Sequence, residues 1–394
     1  MNLFFRMRID WEGYSPPRAK EPNLTLKSGL IALIQDAYAE TWSRFATIRR
    51  DAMANGLNAR HAKAWKTPGE PALVSGLFEA YTSQALVALI NKHLPHLSGG
   101  QRVPVVTGIF VHQKPKVRFG SPAEVVEIGD LLFVRHHFQL GNPTPQGWAF
   151  LMQAKHCRRA KTGRLTGKEG VQFDLYADWD QALTFPAGEL GRPPSGRHWN
   201  LGLGPPPTRA TGLYGLVAKS QSLAAHFPDA SPWSVGEAHP ASASACRKID
   251  ASVTSLAAML EDFLQGKAGR SWHPTPHASD HWSHFVRAMI ENALAQRWGY
   301  SVQRIGVSDA QRAQQAFAAL AAHQLRVSWS QAIQAHETHA EWQQSVARHE
   351  QEVVVPIGEP PEPPAGLGRG EPQGALSLLY VATYGEEQLD AEPH

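Results

Sequence analysis

Three polar side chains stand inside otherwise apolar stretches of this 394-residue chain. Asp130 heads Leu131-Leu132-Phe133-Val134, and Gln153 and Lys155 close Phe150-Leu151-Met152. Side chains alternate along a strand, so Gln153 and Lys155 share a face. A hairpin about Gly141-Asn142-Pro143-Thr144-Pro145 brings Asp130 beside them. A carboxylate in an apolar strand is costly unless a proton, hydrogen bond or cation compensates it. A divalent ion is one such compensator. Mg²⁺ takes oxygen donors and keeps several waters; bound there, it polarises a phosphate and acidifies a water. An amine on the same face orients or deprotonates that water, or offsets charge in the transition state. Phosphodiester hydrolysis needs this set of groups.

The elements that must position them follow from periodicity. A long helix is expected over 24–54. A second follows Thr67-Pro68-Gly69-Glu70-Pro71, with Pro71 in its first turn and a wide apolar face through Leu73, Leu77, Tyr81 and Ala85, ending near Pro95. Strands are expected over 103–111, 125–138 and 148–156, then a helix over 170–183 and a strand over 212–219. The second half reads as helices over 251–264, from Ser279 or Asp280 to Gly299, and over 309–325 and 328–349. A Pro/Gly-rich linker covers 356–374, and an apolar strand over 375–384 is expected to join a sheet already formed. The expected organisation is a helical extension over 1–66, a core over 67–220, a helical region over 221–355, the linker, and a strand and tail over 375–394, forming one composite domain.

In this order of elements, with Asp130 and Gln153-Ala154-Lys155 in place, residues 70–219 resemble the PD-(D/E)XK nuclease superfamily. The triplet opens with Gln, as in the QXK branch of Mrr-like restriction enzymes. The resemblance implies an α/β fold: a restriction-endonuclease-like mixed sheet flanked by helices, with an additional mostly helical C-terminal region. It implies an endonuclease hydrolysing DNA phosphodiesters with Mg²⁺, or Mn²⁺ in its place. Asp130 and Gln153 would hold the metal, assisted by Glu79 from the helix before the sheet, and Lys155 would act on the water. Gln172, on the face of the following helix with Tyr176 and Trp179, would be a further polar residue of the site. The family's habits point to restriction or anti-phage defence.

Each feature has a plainer reading. Asp130 could cap a turn or pair with Arg135 or His136, Gln153 and Lys155 could face solvent, Glu79 could be a solvated helix residue, and Gln172 could serve helix packing. It is their joint order that favours a site. Arg158, Arg159, Lys161, Arg164 and Lys168 follow directly on Lys155 and read as a phosphate-binding loop, with Lys114, Lys116 and Arg118 as a second basic run. The alternative for these is a solvated hairpin. Two rival functions stand beside the nuclease: an inactive nuclease-fold module binding nucleic acid or protein, and a zinc-dependent hydrolase built on His273, His277, His281 and His284. The second lacks the Glu of an HEXXH motif, and Pro274 and Pro276 interrupt any early helix.

The net charge of +3 and pI near 8.8 suit a nucleic-acid partner without requiring one. DNA is the expected partner and RNA the alternative, with a protein partner or second copy engaging the C-terminal helices. Cys157 and Cys246 lie too far apart in sequence for a disulfide framework, no apolar run approaches membrane-spanning length, and the N-terminus lacks a signal-peptide pattern. A reduced, cytoplasmic setting with no membrane partner is expected.

Overall fold

Leu131-Leu132-Phe133-Val134 is apolar at successive positions, a pattern suited to a strand covered on both faces. In the computed structural model it opens β4 (Leu131–Gln139), whose residues 131–138 are all buried. The structure describes residues 25–54, 67–77, 80–97, 104–109, 115–120, 123–139, 146–160, 164–165, 170–186, 190, 192–194, 196–202, 211–238, 247–249, 253–274, 276–295 and 377–385. The chain is mixed α/β, with a mixed sheet flanked by helices.

In chain order the helices are α1 (Leu26–Ala54), α2 (Glu70–Gly76), α3 (Ala80–His93), α4 (Gly170–Ala177), α5 (Gln221–Ala224), α6 (Leu256–Leu264) and α7 (His281–Ala295). The other strands are β1 (Val105–Ile109), β2 (Lys116–Phe119), β3 (Glu124–Glu127), β5 (Gln146–Cys157), β6 (Arg164–Leu165), β7 (Gly212–Ala218), β8 (Trp233–Gly236), β9 (Arg247–Lys248), β10 (Thr254–Ser255), β11 (Arg270–Trp272) and β12 (Ser377–Gly385). The main sheet runs β1-β12-β4-β5-β7-β8-β10, and β11 pairs with β5. β4 and β5 are antiparallel, β5 and β7 parallel. Two small ribbons, β2–β3 and β6–β9, stand apart.

The registers define two faces. Leu131 lies opposite Met152 and Phe133 opposite Phe150, so these share one face, and Leu132 and Leu151 share the other. Against the first, Leu33 and Ile34 of α1, Leu77, Leu86 of α3, and Leu256 and Leu260 of α6 meet Phe133 and Leu379 around a small apolar cavity. Against the second, α4 packs Phe173 and Tyr176 on Tyr214 of β7. No described helix is long and apolar enough to cross a membrane.

The structure differs from the sequence reading at four places. The strand expected over 125–138 is two, β3 and β4, because β3 pairs with β2 in a separate ribbon while β4 joins the main sheet; α4 side chains bond the carbonyls of Glu127 and Ile128 at the junction. The helix expected from Pro71 to Pro95 is two, α2 and α3. The one expected over 170–183 stops at Ala177, and Leu183 instead bridges to Trp199. The region 221–355, expected to be helical, contains β8, β9, β10 and β11 in its described part; strands of two to four residues are too short to show alternation. The expected helices over 309–325 and 328–349, and the linker, lie outside the described residues.

The late strand joins the sheet as expected, but in its interior. β12 lies parallel to β4 on one side and antiparallel to β1 on the other, with Leu378, Tyr380 and Val381 buried. Leu378→Ala should therefore cost about 2–5 kcal/mol. Urea unfolding reads this directly, and an unchanged midpoint would show that β12 is not part of the cooperative core.

Candidate active site

Asp130 lies one residue before β4, and continuing the β4–β5 register sets it opposite Gln153. Its backbone N–H donates to Met152 O at 3.0 Å. Its Oδ2 accepts from Ala154 N–H at 2.8 Å and from the Gln153 side-chain amide. Lys155 is two residues further along β5 on the same face, with 13% of its side chain exposed. The three groups singled out from the sequence thus converge at one end of the sheet. Arg135 and His136 are not partners of Asp130. Arg135 sits 4.7 Å above the Trp148 ring, and His136 Nδ1 meets Tyr380 OH at 2.9 Å.

Glu70 completes the group, and sequence reasoning missed it. It is the first residue of α2, where an acid suits the helix dipole, so it read as an ordinary start signal. Its Oε1 accepts from His156 N–H at 2.7 Å, and its Oε2 lies 3.9 Å from Lys155 Nζ. A clue was available: Glu70 is the acid in the first turn of a helix whose apolar residues must pack on the sheet. Glu79, the acid expected here, lies outside the described residues.

α4 covers the site and shapes it. Buried Gln172 donates through Nε2 to Glu127 O at 2.9 Å and to the Gln153 side-chain oxygen. One turn on, Tyr176 OH donates to Ile128 O at 2.9 Å. Gly129 is what permits this approach, because a Cβ there would stand 2.8 Å from the Tyr176 hydroxyl. Tyr176, read from sequence only as part of an apolar face, is thus a positioning residue for the turn that carries Asp130.

The electrostatics show an undercompensated acid. Burial raises the Asp130 carboxyl to about 7. Lys155 and the Ala154 N–H pull it down, while the carboxylates of Glu127 and Glu70 push it up. Such a group suits a hard cation: Asp130 offers a charged oxygen, Gln153 an amide oxygen and Glu70 a second carboxylate. Gln153 now donates its amide nitrogen to Asp130, so holding a cation requires its side chain to turn its oxygen inward. Among the described residues no three His, Cys, Asp or Glu side chains group as a metal shell, so the amide would be needed as a donor.

The basic residues divide. Arg158 and Arg159 are exposed just past β5. Lys116 and Arg118 are exposed on β2, with Lys116 opposite Glu127. Arg164 lies in β6; Lys114, Lys161 and Lys168 lie outside the described residues. Among the described residues the histidine patch forms no group of three side chains that could hold a metal. α7 begins at His281, leaving His277 before the helix, where its Nδ1 meets Ser279 Oγ at 3.1 Å. His281 Nδ1 accepts from Asn200 N–H at 3.0 Å. No protein-family model matches this chain, and comparisons with curated proteins and with solved structures find no match either.

Because the folded-state carboxyl of Asp130 binds its proton more tightly than the unfolded one, stability falls as pH rises from about 4 to about 7. Asp130→Asn should remove this fall and exceed the wild type in stability at pH 8 without added metal. Parallel denaturation curves across that range test it, and identical pH profiles would refute the buried-charge assignment. Tyr176→Phe should cost about 1–3 kcal/mol by leaving the enclosed Ile128 carbonyl without its donor. Chemical denaturation measures the loss, and a change below a few tenths of a kcal/mol would remove Tyr176 from the positioning role.

Proposed function

We propose that this chain is a metal-dependent nuclease of the PD-(D/E)XK kind, hydrolysing DNA phosphodiester bonds. The observation that carries the reading is the meeting of Asp130, Gln153 and Lys155 at the end of an antiparallel β4–β5 pair, with Glu70 reaching Lys155 from a helix. The fold supports it. The antiparallel pair is followed by α4 and then by β7 parallel to β5, the expected strand-strand-helix-strand order. The sheet departs from a simple core in placing β12 between β1 and β4.

Asp130 and Gln153 would hold Mg²⁺ or Mn²⁺, with Glu70 in the role expected of Glu79. The ion, when bound, would polarise the phosphate and acidify a water. Lys155, partly buried and anchored by Glu70, would sit on the face where the nucleophile arrives and stabilise charge developing on the phosphoryl oxygens. Glu70 would keep the Lys155 ammonium directed at the site. Gln172, bonded to the Glu127 carbonyl, and Tyr176, bonded to the Ile128 carbonyl, would fix the turn before Asp130. Arg158 and Arg159 would meet backbone phosphates. A role in restriction or anti-phage defence is the setting such an enzyme would fit.

The inactive binding module remains the competing reading, favoured by the neutral Gln153 in place of an acid. Plasmid incubated with the protein and Mg²⁺ or Mn²⁺ separates the two. Wild-type protein should cleave, with cleavage suppressed by EDTA and reduced at least about a hundredfold in Asp130→Ala and Lys155→Ala. Cleavage surviving both substitutions would overturn the assigned site, and a wild type inactive with both metals and with both DNA and RNA would favour the binding module.

A further inference from the structure

We propose that Gln172 is a latch on the cation site: it holds the Gln153 amide in the orientation that shuts a divalent ion out, and ion entry requires the two amides to turn together. The inference rests on the nuclease reading for its metal and adds what sets the site's affinity for it. A short series of hydrogen bonds makes the latch. Gln172 Nε2 donates to Glu127 O at 2.9 Å and to the Gln153 side-chain oxygen, and Gln153 Nε2 donates to Asp130 Oδ2. Both amide side chains are buried, so a bond lost in the series is not simply replaced by one to water.

The ends of the series fix its direction. A backbone carbonyl only accepts, so the group of Gln172 beside Glu127 O is its NH2, and both hydrogens of that nitrogen are occupied. The atom of Gln153 that meets Gln172 is then its oxygen, which leaves its nitrogen facing the Asp130 carboxylate. The same nitrogen lies 3.4 Å from Ala154 O, a further acceptor. The amide thus offsets the acid from the side where a cation would do so. Turning Gln153 alone would put its oxygen against Asp130 Oδ2 and the Ala154 carbonyl, and its N–H groups against those of Gln172. A bound cation would relieve the first conflict and leave the second. Gln172 must then move as well, giving up its bond to the Glu127 carbonyl. Gln172 is therefore a positioning residue that acts through Gln153 and lowers the site's affinity for metal. A carboxylate in place of the Gln153 amide would meet no such obstacle, because one of its oxygens can accept from Gln172 while the other faces the ion.

Binding of Mn²⁺ to metal-free protein, followed at one pH by the electron paramagnetic resonance signal of the free ion, tests the latch without reference to cleavage. Gln172→Met, close to Gln in length but without its donors, should tighten binding by between about twofold and tenfold, the equivalent of one hydrogen bond released. Gln172→Asn, an amide one methylene shorter, should shift it the same way and serves where Gln172→Met does not fold. Gln153→Glu should tighten binding by itself, and in that background Gln172→Met should give no further gain. This loss of effect separates a latch from a general loosening of the turn, which would act in both backgrounds alike. Unfolding midpoints check the fold of each variant. Unchanged or weaker binding in the folded Gln172 variants, or an equal gain with and without Gln153→Glu, would overturn the latch. Wild-type binding that Asp130→Ala abolishes would in either case leave the metal site standing. Absence of Mn²⁺ binding in the wild type, in Gln172→Met and in Gln153→Glu would overturn the latch and the metal-dependent reading together.

Discussion

A carboxylate enclosed where one strand begins is the constraint around which this end of the molecule is organised. An acid in that position must find donors, because burial without them would cost several kcal/mol. Ala154 N–H and the Gln153 amide donate to it from β5, and its own N–H is spent on Met152 O. Those contacts leave the carboxyl raised to about 7, so the donors do not fully offset burial and two neighbouring carboxylates. A fold selected for stability alone would have removed the acid or paired it directly with a buried arginine. Retaining it beside Lys155 is the arrangement expected where a charge has work to do.

The positioning comes from elements distant in sequence. β4 and β5 bring two polar groups together through a local hairpin register, but the turn that carries Asp130 is held by α4. Gln172 and Tyr176 occupy successive turns of that helix and take the carbonyls of Glu127 and Ile128. The chain breaks there, passing from the β2–β3 ribbon into the main sheet at β4. The break frees Asp130 from the regular ladder while keeping its N–H bonded to β5. Glu70 arrives from the opposite side of the sheet, bonding the β5 backbone and reaching Lys155.

What could be read from the sequence was whatever depends on short-range periodicity. The alternation that aligns Gln153 with Lys155 and the odd amide in the apolar face at Gln172 were both visible, whereas the turn expected around Gly141 to Pro145 lies outside the described residues. Gln172 indeed has the polar partners its position required. Glu70 was hidden because an acid at a helix start has a sufficient local explanation. Tyr176 was hidden because a tyrosine on an apolar helix face satisfies the packing pattern whether or not its hydroxyl bonds a carbonyl. β8, β10 and β11 carry too few residues for a pattern, and their pairing is set by what surrounds them.

The place of β12 shows the limit most clearly. Its apolar composition marked it as a strand, yet nothing in nine residues specifies a parallel neighbour almost 250 positions earlier. Its insertion is nonetheless a consequence of β4. Leu131 to Val134 is apolar on both faces and also needs hydrogen-bonding partners on both edges. β5 supplies one edge. The β1 segment, short and separated from β4 by the β2–β3 ribbon, does not take the other. β12 matches β4 over its full length, from Leu131 to Gln139. It also provides Tyr380 and Thr383 as partners for the buried His136 and His137. A strand from late in the chain thereby completes the sheet on which Asp130 is mounted, and the candidate site cannot be treated as a property of residues 67–220 alone.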